Sequence, residues 1–187
     1  VHYSNSEQSN LCKVFNCDFI QCTSDKEGGA ISSGYINYLG ADDDGDMTVA
    51  NCLFDRCQAK AGGALFFNDG SEAHDEEKCV MNCTFKTCVA TGETGKGYAI
   101  FCLSYKFELT LSTFEDFILD GKLQSSSSII YVEMNEKNEP TINSLTFQRN
   151  KGVSSMLLNI VTDVTISNLI FTDFNDDSPC ISFDGWK

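Results

Sequence analysis

Cysteine is the residue of this 187-residue chain best equipped for chemistry: there are ten, and nine fall within the first 102 positions. Six recur as pairs with four residues between them: Cys17 and Cys22, Cys52 and Cys57, Cys83 and Cys88. Such cysteines can close disulfides within a repeat or between neighbouring repeats, or stand as reduced, buried thiols that pack like small hydrophobes. The spacing is also within reach of zinc ligation. Later in the chain, however, Phe117 and Phe174 hold the equivalent position. That substitution assigns the column to packing, so no metal site is expected. Cys12, Cys79, Cys102 and Cys180 lie off these columns and are candidates for outer braces. The cysteine density favours an oxidising, extracellular compartment.

Other reactive groups are sparser. Asp42, Asp43, Asp44 and Asp46 form an acidic run, which lacks the full EF-hand pattern and its distal Glu and reads as a solvated loop. His2 and His74 neighbour no recognisable Ser or Cys nucleophile motif. The pairs Gly28-Gly29 and Gly62-Gly63 are followed by neither Lys-Ser/Thr nor a helical pattern, which argues against a phosphate cradle. Asn82-Cys83-Thr84 is formally a glycosylation acceptor, but it coincides with a repeat position whose neighbour points inward. No catalytic residue, cofactor or cofactor-binding residue is expected.

The elements that must position these residues follow from one motif. N-C-x-F-x-x-C occurs at Asn16 to Cys22, Asn51 to Cys57 and Asn82 to Cys88. Its phenylalanine is echoed downstream, giving six anchors: Phe19, Phe54, Phe85, Phe114, Phe147 and Phe171. Successive anchors are 35, 31, 29, 33 and 24 residues apart, the irregular period of a solenoid. Five positions before each anchor stand Val14, Val49, Val80, Leu109, Ile142 and Ile166. Two before stand Cys17, Cys52, Cys83, Ser112, Leu145 and Leu169, and three after stand Cys22, Cys57, Cys88, Phe117, Asn150 and Phe174.

These inward columns are separated by gaps of two and three residues. Two is the period of a strand, whose alternate side chains face the core. Three requires a bend. Short strands joined by bends and rich in β-branched residues predict a parallel β-solenoid and exclude an amphipathic helix. Asn16, Asn51, Asn82 and Asn168 precede the anchors by three. Asn suits left-handed bends and can satisfy local backbone groups, and in register such amides can bond between repeats. Leu111 and Ser144 replace it in the fourth and fifth repeats, which predicts less regular bends there. A second half-motif, Gly28-Gly29-Ala30-Ile31 and Gly62-Gly63-Ala64-Leu65, predicts a sharp corner with close backbone approach.

The pairing of F-x-x-C with G-G-A-I resembles right-handed parallel β-helix proteins of the pectate-lyase-like superfamily. In repeat style it is similar to chlamydial polymorphic outer-membrane proteins and related protist surface proteins. Those families combine G-G-A-I with F-x-x-N, a form kept here only from Phe147 to Asn150. The resemblance implies an all-β, right-handed parallel β-helix of about six coils. It leaves function open, because one scaffold hosts many roles. β-Helix enzymes of this kind act on acidic polysaccharides with carboxylates and a base, for which Arg56, Lys60, Arg149 and Lys151 are the candidate bases here. None of these is placed by the repeat beside the acidic run.

Residues 1–187 read as one repeat domain, whose lack of a polar cap also suits a piece of a longer solenoid. A formal charge of −14 argues against nucleic acid as a partner, and no apolar run is long enough for direct membrane insertion. Insertions at 33–46, 68–78, 90–96, 120–128 and 133–139 would gather along one flank and present a surface to protein or glycan ligands. Tyr35, Tyr38, Tyr98, Tyr105 and Tyr131 lie near them, as contact residues or as plain packing. The reading is therefore a non-catalytic extracellular or cell-surface module with a structural or adhesion role, able to self-associate end to end or laterally. The alternatives are a polysaccharide-active enzyme and an intracellular structural assembly, the latter requiring reduced cysteines.

Overall fold

The computed structural model describes residues 2–3, 11–34, 46–68, 77–92, 96–104, 106–118, 128–134, 140–151, 154–160, 164–173 and 180–184. Within them the chain is an all-β solenoid of parallel strands. Three long sheets run side by side, and every strand pairing in them is parallel.

The first sheet carries the branched column. Its order is Cys12–Phe15, Met47–Ala50, Glu77–Met81, Lys106–Thr110, Thr141–Asn143 and Thr165–Ser167. Val14 faces Val49, Val49 faces Val80, and Leu109 links Val80 to Ile142 in register. The second sheet carries the anchors on three-residue strands: Asp18–Ile20, Leu53–Asp55, Thr84–Lys86, Thr113–Glu115, Thr146–Gln148 and Ile170–Thr172. The third, seven-stranded sheet begins with His2–Tyr3 and continues through Ile31–Gly34, Leu65–Asn68, Ile100–Leu103, Ser128–Met134, Ser154–Ile160 and Ile181–Asp184.

Between the sheets lies the core. The six anchor rings form one unbroken stack with centroids 4.9–5.1 Å apart and planes within 16°. The spacing is set by the backbone, since strands lie about 4.8 Å apart. Phe54, Phe85, Phe114 and Phe147 are fully buried, whereas Phe19 and Phe171 at the two ends are only partly covered. Val14, Cys17 and Cys22 at one end, and Ile166, Leu169 and Ile181 at the other, are likewise half-buried. The columns are thus least covered in the first and last described repeats.

Corners are the distinctive local feature. Among the described residues, twelve non-glycine residues have positive φ, all between 50° and 59°, and they fall on two positions of the repeat. The first, three before the anchor, holds Asn16, Asn51, Asn82, Leu111, Ser144 and Asn168. Leu111 at φ 52° and Ser144 at φ 56° turn as sharply as the asparagines, which corrects the expectation of less regular bends. The reason is that both neighbouring strands are locked in ladders. The Leu111 amide donates to Asn143 O at 3.2 Å, as Asn82 does to Thr110 O at 3.0 Å. Tertiary hydrogen bonds hold a left-handed geometry that leucine alone disfavours.

The second corner, two after the anchor, holds Gln21, Arg56, Thr87, Asp116, Arg149 and Asp173. No shared residue type marks it in the sequence. Gly28, Gly62 and Gly97 turn a third corner at φ 58–65°. Where the Asn column is present it also bonds across repeats: Asn82 Nδ2 donates to Asn51 Oδ1 at 2.7 Å. Asn168 Nδ2 donates to Asn143 Oδ1 at 2.9 Å, so Asn143 substitutes one position early for the missing corner amide.

Candidate functional site

The chemistry-bearing residues converge on the two left-handed corners. Each corner residue is followed by a member of a cysteine column, and each of those thiols meets backbone carbonyls that the bend leaves behind. Cys52 Sγ lies 3.2 Å from Ala50 O and 3.6 Å from Val14 O. Cys83 repeats the pattern with Met81 O at 3.3 Å and Val49 O at 3.6 Å. At the second corner Cys57 meets Phe19 O at 3.4 Å and Cys88 meets Phe54 O at 3.5 Å. A thiol is a weak donor, but a buried carbonyl without any donor is costly.

Where the columns lose cysteine, other donors do the same work. Ser112 Oγ donates to Thr110 O at 2.9 Å, as Cys83 does to Met81 O. Asn150 Nδ2 donates to Phe114 O at 3.1 Å, and its Oδ1 accepts from the Phe117 amide at 3.0 Å. The columns are therefore corner donors as well as packing positions. Asn150 is fully buried, so Asn150→Leu should cost about 1–3 kcal/mol in urea unfolding by orphaning both groups. Asn150→Cys, which restores a donor toward Phe114 O, should cost less than the leucine variant.

No two of the ten cysteines are bridged in this structure. Burial pushes Cys83 up to about 12 and raises Cys52 as well. Cys57 differs: it is drawn down to about 7, first by the hydrogen bond from Cys88 and further by Cys22, against the opposing effect of burial. One of the four expected outer braces does not lie on the outside. Cys102 is fully buried, in register with Phe67 and Val132, because it faces inward on the third sheet. Cys79 lies between Thr48 and Glu108, with Sγ 4.0 Å from Glu108 Oε2. Burial, then Glu108 and Glu77, push it up to about 11.

Two polar clusters lie on outward faces. On the third sheet Phe66, Phe101 and Tyr131 stack at 5.2 and 4.8 Å. Lys96 Nζ donates to the Tyr131 hydroxyl at 3.0 Å, and that hydroxyl donates to Glu133 Oε2 at 2.6 Å. An ammonium, a phenol and a carboxylate in series can pass a proton. Tyr131 is only 1% exposed, which limits access to the hydroxyl. None of this was legible in the sequence, where Tyr131 and Lys96 are merely neighbours of insertions.

The second cluster lies on the anchor sheet. Arg149 bridges Glu115 at 2.6 Å and Asp116 at 2.7 Å, Lys86 approaches both carboxylates, and Gln148 donates to Glu115. The Arg149 hydrogen bond holds the Asp116 carboxyl below its usual range, opposed by desolvation and aided by charge. The folded pKa is thus lower than the unfolded one. Its stabilising contribution is full above the ordinary Asp value of about 3.9 and is lost as pH falls through the folded pKa. Arg149→Gln should lower the urea midpoint only slightly near neutral pH, as loss of an exposed pair does. That difference in urea midpoint should vanish in strong acid.

Of the candidate bases, Arg149 is engaged as above and Arg56 pairs with its own neighbour Asp55 at 2.7 Å. Lys60 and Lys151 are exposed. Asp46 accepts from the Glu77 amide at 2.8 Å and ties two strands together. Asp42, Asp43, Asp44, His74, Tyr35, Tyr38, Tyr105 and Phe174 lie outside the described residues, as do residues 93–95 and most of each of the other four insertions; the His2 side chain is likewise not described. Lys78, read from sequence as the end of a polar insertion, is fully buried in register between Met47 and Phe107. Asn82, the formal glycosylation acceptor, has its amide nitrogen engaged by Asn51. Among the described residues no three His, Cys, Asp or Glu side chains are grouped to hold a metal ion, and no helix is long and apolar enough to cross a membrane. A polar depression of about 410 Å³ lies in the first described repeat, lined by Thr23, Ser24, Lys26, Glu27 and the Gly28 corner.

No protein-family model, curated protein or solved structure matches the chain.

Proposed function

We propose that this chain is a non-catalytic repeat module of the cell surface or extracellular space, with a structural or adhesion role. In this reading it is a right-handed β-helix of six coils, related in style to pectate-lyase-like and chlamydial outer-membrane repeats. One observation carries the proposal: the reactive side chains of the repeat are spent on the scaffold. Amides serve the corners, aromatics serve the stack, and arginine with carboxylate knits the anchor sheet. In this reading the module associates end to end or laterally with further strands, as strand edges recruit others. The loop flank is the surface offered to protein or glycan ligands.

Two further readings rest on specific groups. A polysaccharide-active enzyme would use Lys96, Tyr131 and Glu133. Activity on an acidic polysaccharide that Tyr131→Phe abolishes would replace the module reading. An intracellular structural assembly is favoured by thiols acting as donors, which oxidation would remove. The mass of the native protein, alkylated before and after reduction, tests the compartment. Four or five disulfides support the extracellular module; ten free thiols overturn it in favour of the intracellular assembly.

A further inference from the structure

We infer that Asn82 is the acceptor of an N-linked glycan, and that this glycan covers an apolar step on the corner beside it. The chain holds one Asn-x-Ser/Thr triplet, Asn82-Cys83-Thr84, the pattern that oligosaccharide transfer recognises. The repeat explains why there is one. Asparagine stands at the first corner in four repeats. Two positions further on, the in-register column holds Asp18, Leu53, Thr84, Thr113, Thr146 and Ile170. Amide and hydroxyl coincide in the third repeat alone, because Leu111 and Ser144 precede Thr113 and Thr146.

The inward neighbour does not block the site. Cys83 is buried, but Asn82 turns the corner at φ 51° and is exposed, and Thr84 is partly exposed on the anchor sheet. Asn82 Nδ2 donates to Asn51 Oδ1 at 2.7 Å. A primary amide carries two hydrogens, so a sugar can replace one while the other serves the ladder. The surrounding surface singles this corner out. Met81, immediately before Asn82, is 38% exposed, and Leu111, the corner residue of the next repeat, is 58% exposed. Neighbouring strands lie about 4.8 Å apart, so both apolar side chains border Asn82. The apolar face of a first sugar ring carried there lies over them and takes their surface from water.

The transfer balances with a lipid-pyrophosphate-linked oligosaccharide as donor and its transferring enzyme as catalyst. Asn82 Nδ2 attacks C1 of the donor's first sugar. The bond from C1 to the pyrophosphate oxygen breaks, and the lipid pyrophosphate leaves with the electron pair. One amide proton passes to a base of the transferring enzyme, and the product is a secondary amide with a single N–H. Nothing is oxidised or reduced. Occupancy in the native protein rests on the extracellular reading, because such a donor lies on the secretory route, but the acceptor is tested apart from it.

The test expresses the whole chain behind a secretory leader in a eukaryotic host, which brings it to the donor whatever its native compartment. The expected product carries one glycan, whose mass is lost on treatment with an amidase that removes N-linked glycans. In heavy-oxygen water that treatment should leave a labelled carboxylate at position 82. Asn82→Gln and Thr84→Ala should each lose the whole glycan mass, and Thr84→Ser should keep it. Thr84 faces outward, so its two variants retain the core, and circular dichroism checks that they fold. The Thr84→Ala protein should bind more of a dye for apolar surface than the glycosylated parent, and adding Leu111→Ser should remove the excess. Parent protein secreted with Asn82 unmodified overturns the inference, and equal dye binding overturns the covering role. Ten free thiols in the native protein would overturn the extracellular reading, a result separate from occupancy of Asn82 in the secretory host.

Discussion

Gly63→Ala should all but abolish folding. A Cβ at Gly63 would stand 2.2 Å from Tyr98 O, 2.7 Å from Val89 O and 2.9 Å from Val89 C. Each of those atoms is backbone of the next repeat, so no rotamer change relieves the clash. Moving that backbone would break the Gly63 amide bond to Gly97 O at 3.1 Å and the Val89 amide bond to Cys57 O at 2.9 Å. Ordinary overpacking costs about 1–3 kcal/mol because side chains give way. Here the solenoid's spacing must open, and a loss above about 4 kcal/mol follows, the range of exceptional substitutions. Domains of this kind hold only about 5–15 kcal/mol in total. The measurement is urea unfolding, with Thr113→Ala on the outward anchor-sheet face as control, expected within about 0.5 kcal/mol of the parent. A Gly63→Ala protein with the parent midpoint would show that the repeats are not packed backbone to backbone at this corner.

Phe85→Ala is the second large effect, at about 3–5 kcal/mol. The ring is fully buried and has a neighbour 4.9 Å away on each side. Truncation removes its burial, breaks two stacked contacts worth about 0.5–1.5 kcal/mol each, and leaves a ring-sized cavity between strands whose spacing is fixed by hydrogen bonds. The cavity cannot collapse without breaking those ladders. Phe19→Ala should cost distinctly less, because its ring has one stacked neighbour and is already partly exposed. Equal losses at Phe85 and Phe19 would mean that the stack contributes nothing beyond local burial. The Phe54→Ala and Phe85→Ala pair should be non-additive, since the two rings touch.

The rest of the ledger is set by the corners. Asn16, Asn51, Asn82 and Asn168 announce theirs, because asparagine tolerates the left-handed region better than most residues. Gly28 and Gly62 do likewise, being free of the Cβ that would strike Ile31 O or Leu65 O. The other left-handed corner is silent in the sequence. Thr87 at φ 50° and Arg149 at φ 57° carry no local preference for that geometry. The conformation is imposed from above and below, as the Thr87 amide is held by Glu115 O at 3.2 Å and the Arg149 amide by Thr172 O at 3.1 Å. The same reason explains the misjudged bends at Leu111 and Ser144.

The cysteine columns divide the same way. Their inward direction was legible, because phenylalanine and leucine take the same positions. Their role as donors was not, since the carbonyls they meet belong partly to residues 34 or 38 positions away. The Lys96, Tyr131 and Glu133 series and the burial of Lys78 escaped for that reason too.

What the sequence determined by itself was the periodic part: parallel strands, inward columns and the phenylalanine stack. A side chain that must face a shared core every turn leaves a residue-type record at fixed spacing. What only the tertiary structure decided was which backbone groups the bends orphan and which thiols answer them. Those depend on the register between repeats separated by insertions of unequal length, and a spacing that varies from 24 to 35 residues fixes that register only once the ladders have closed.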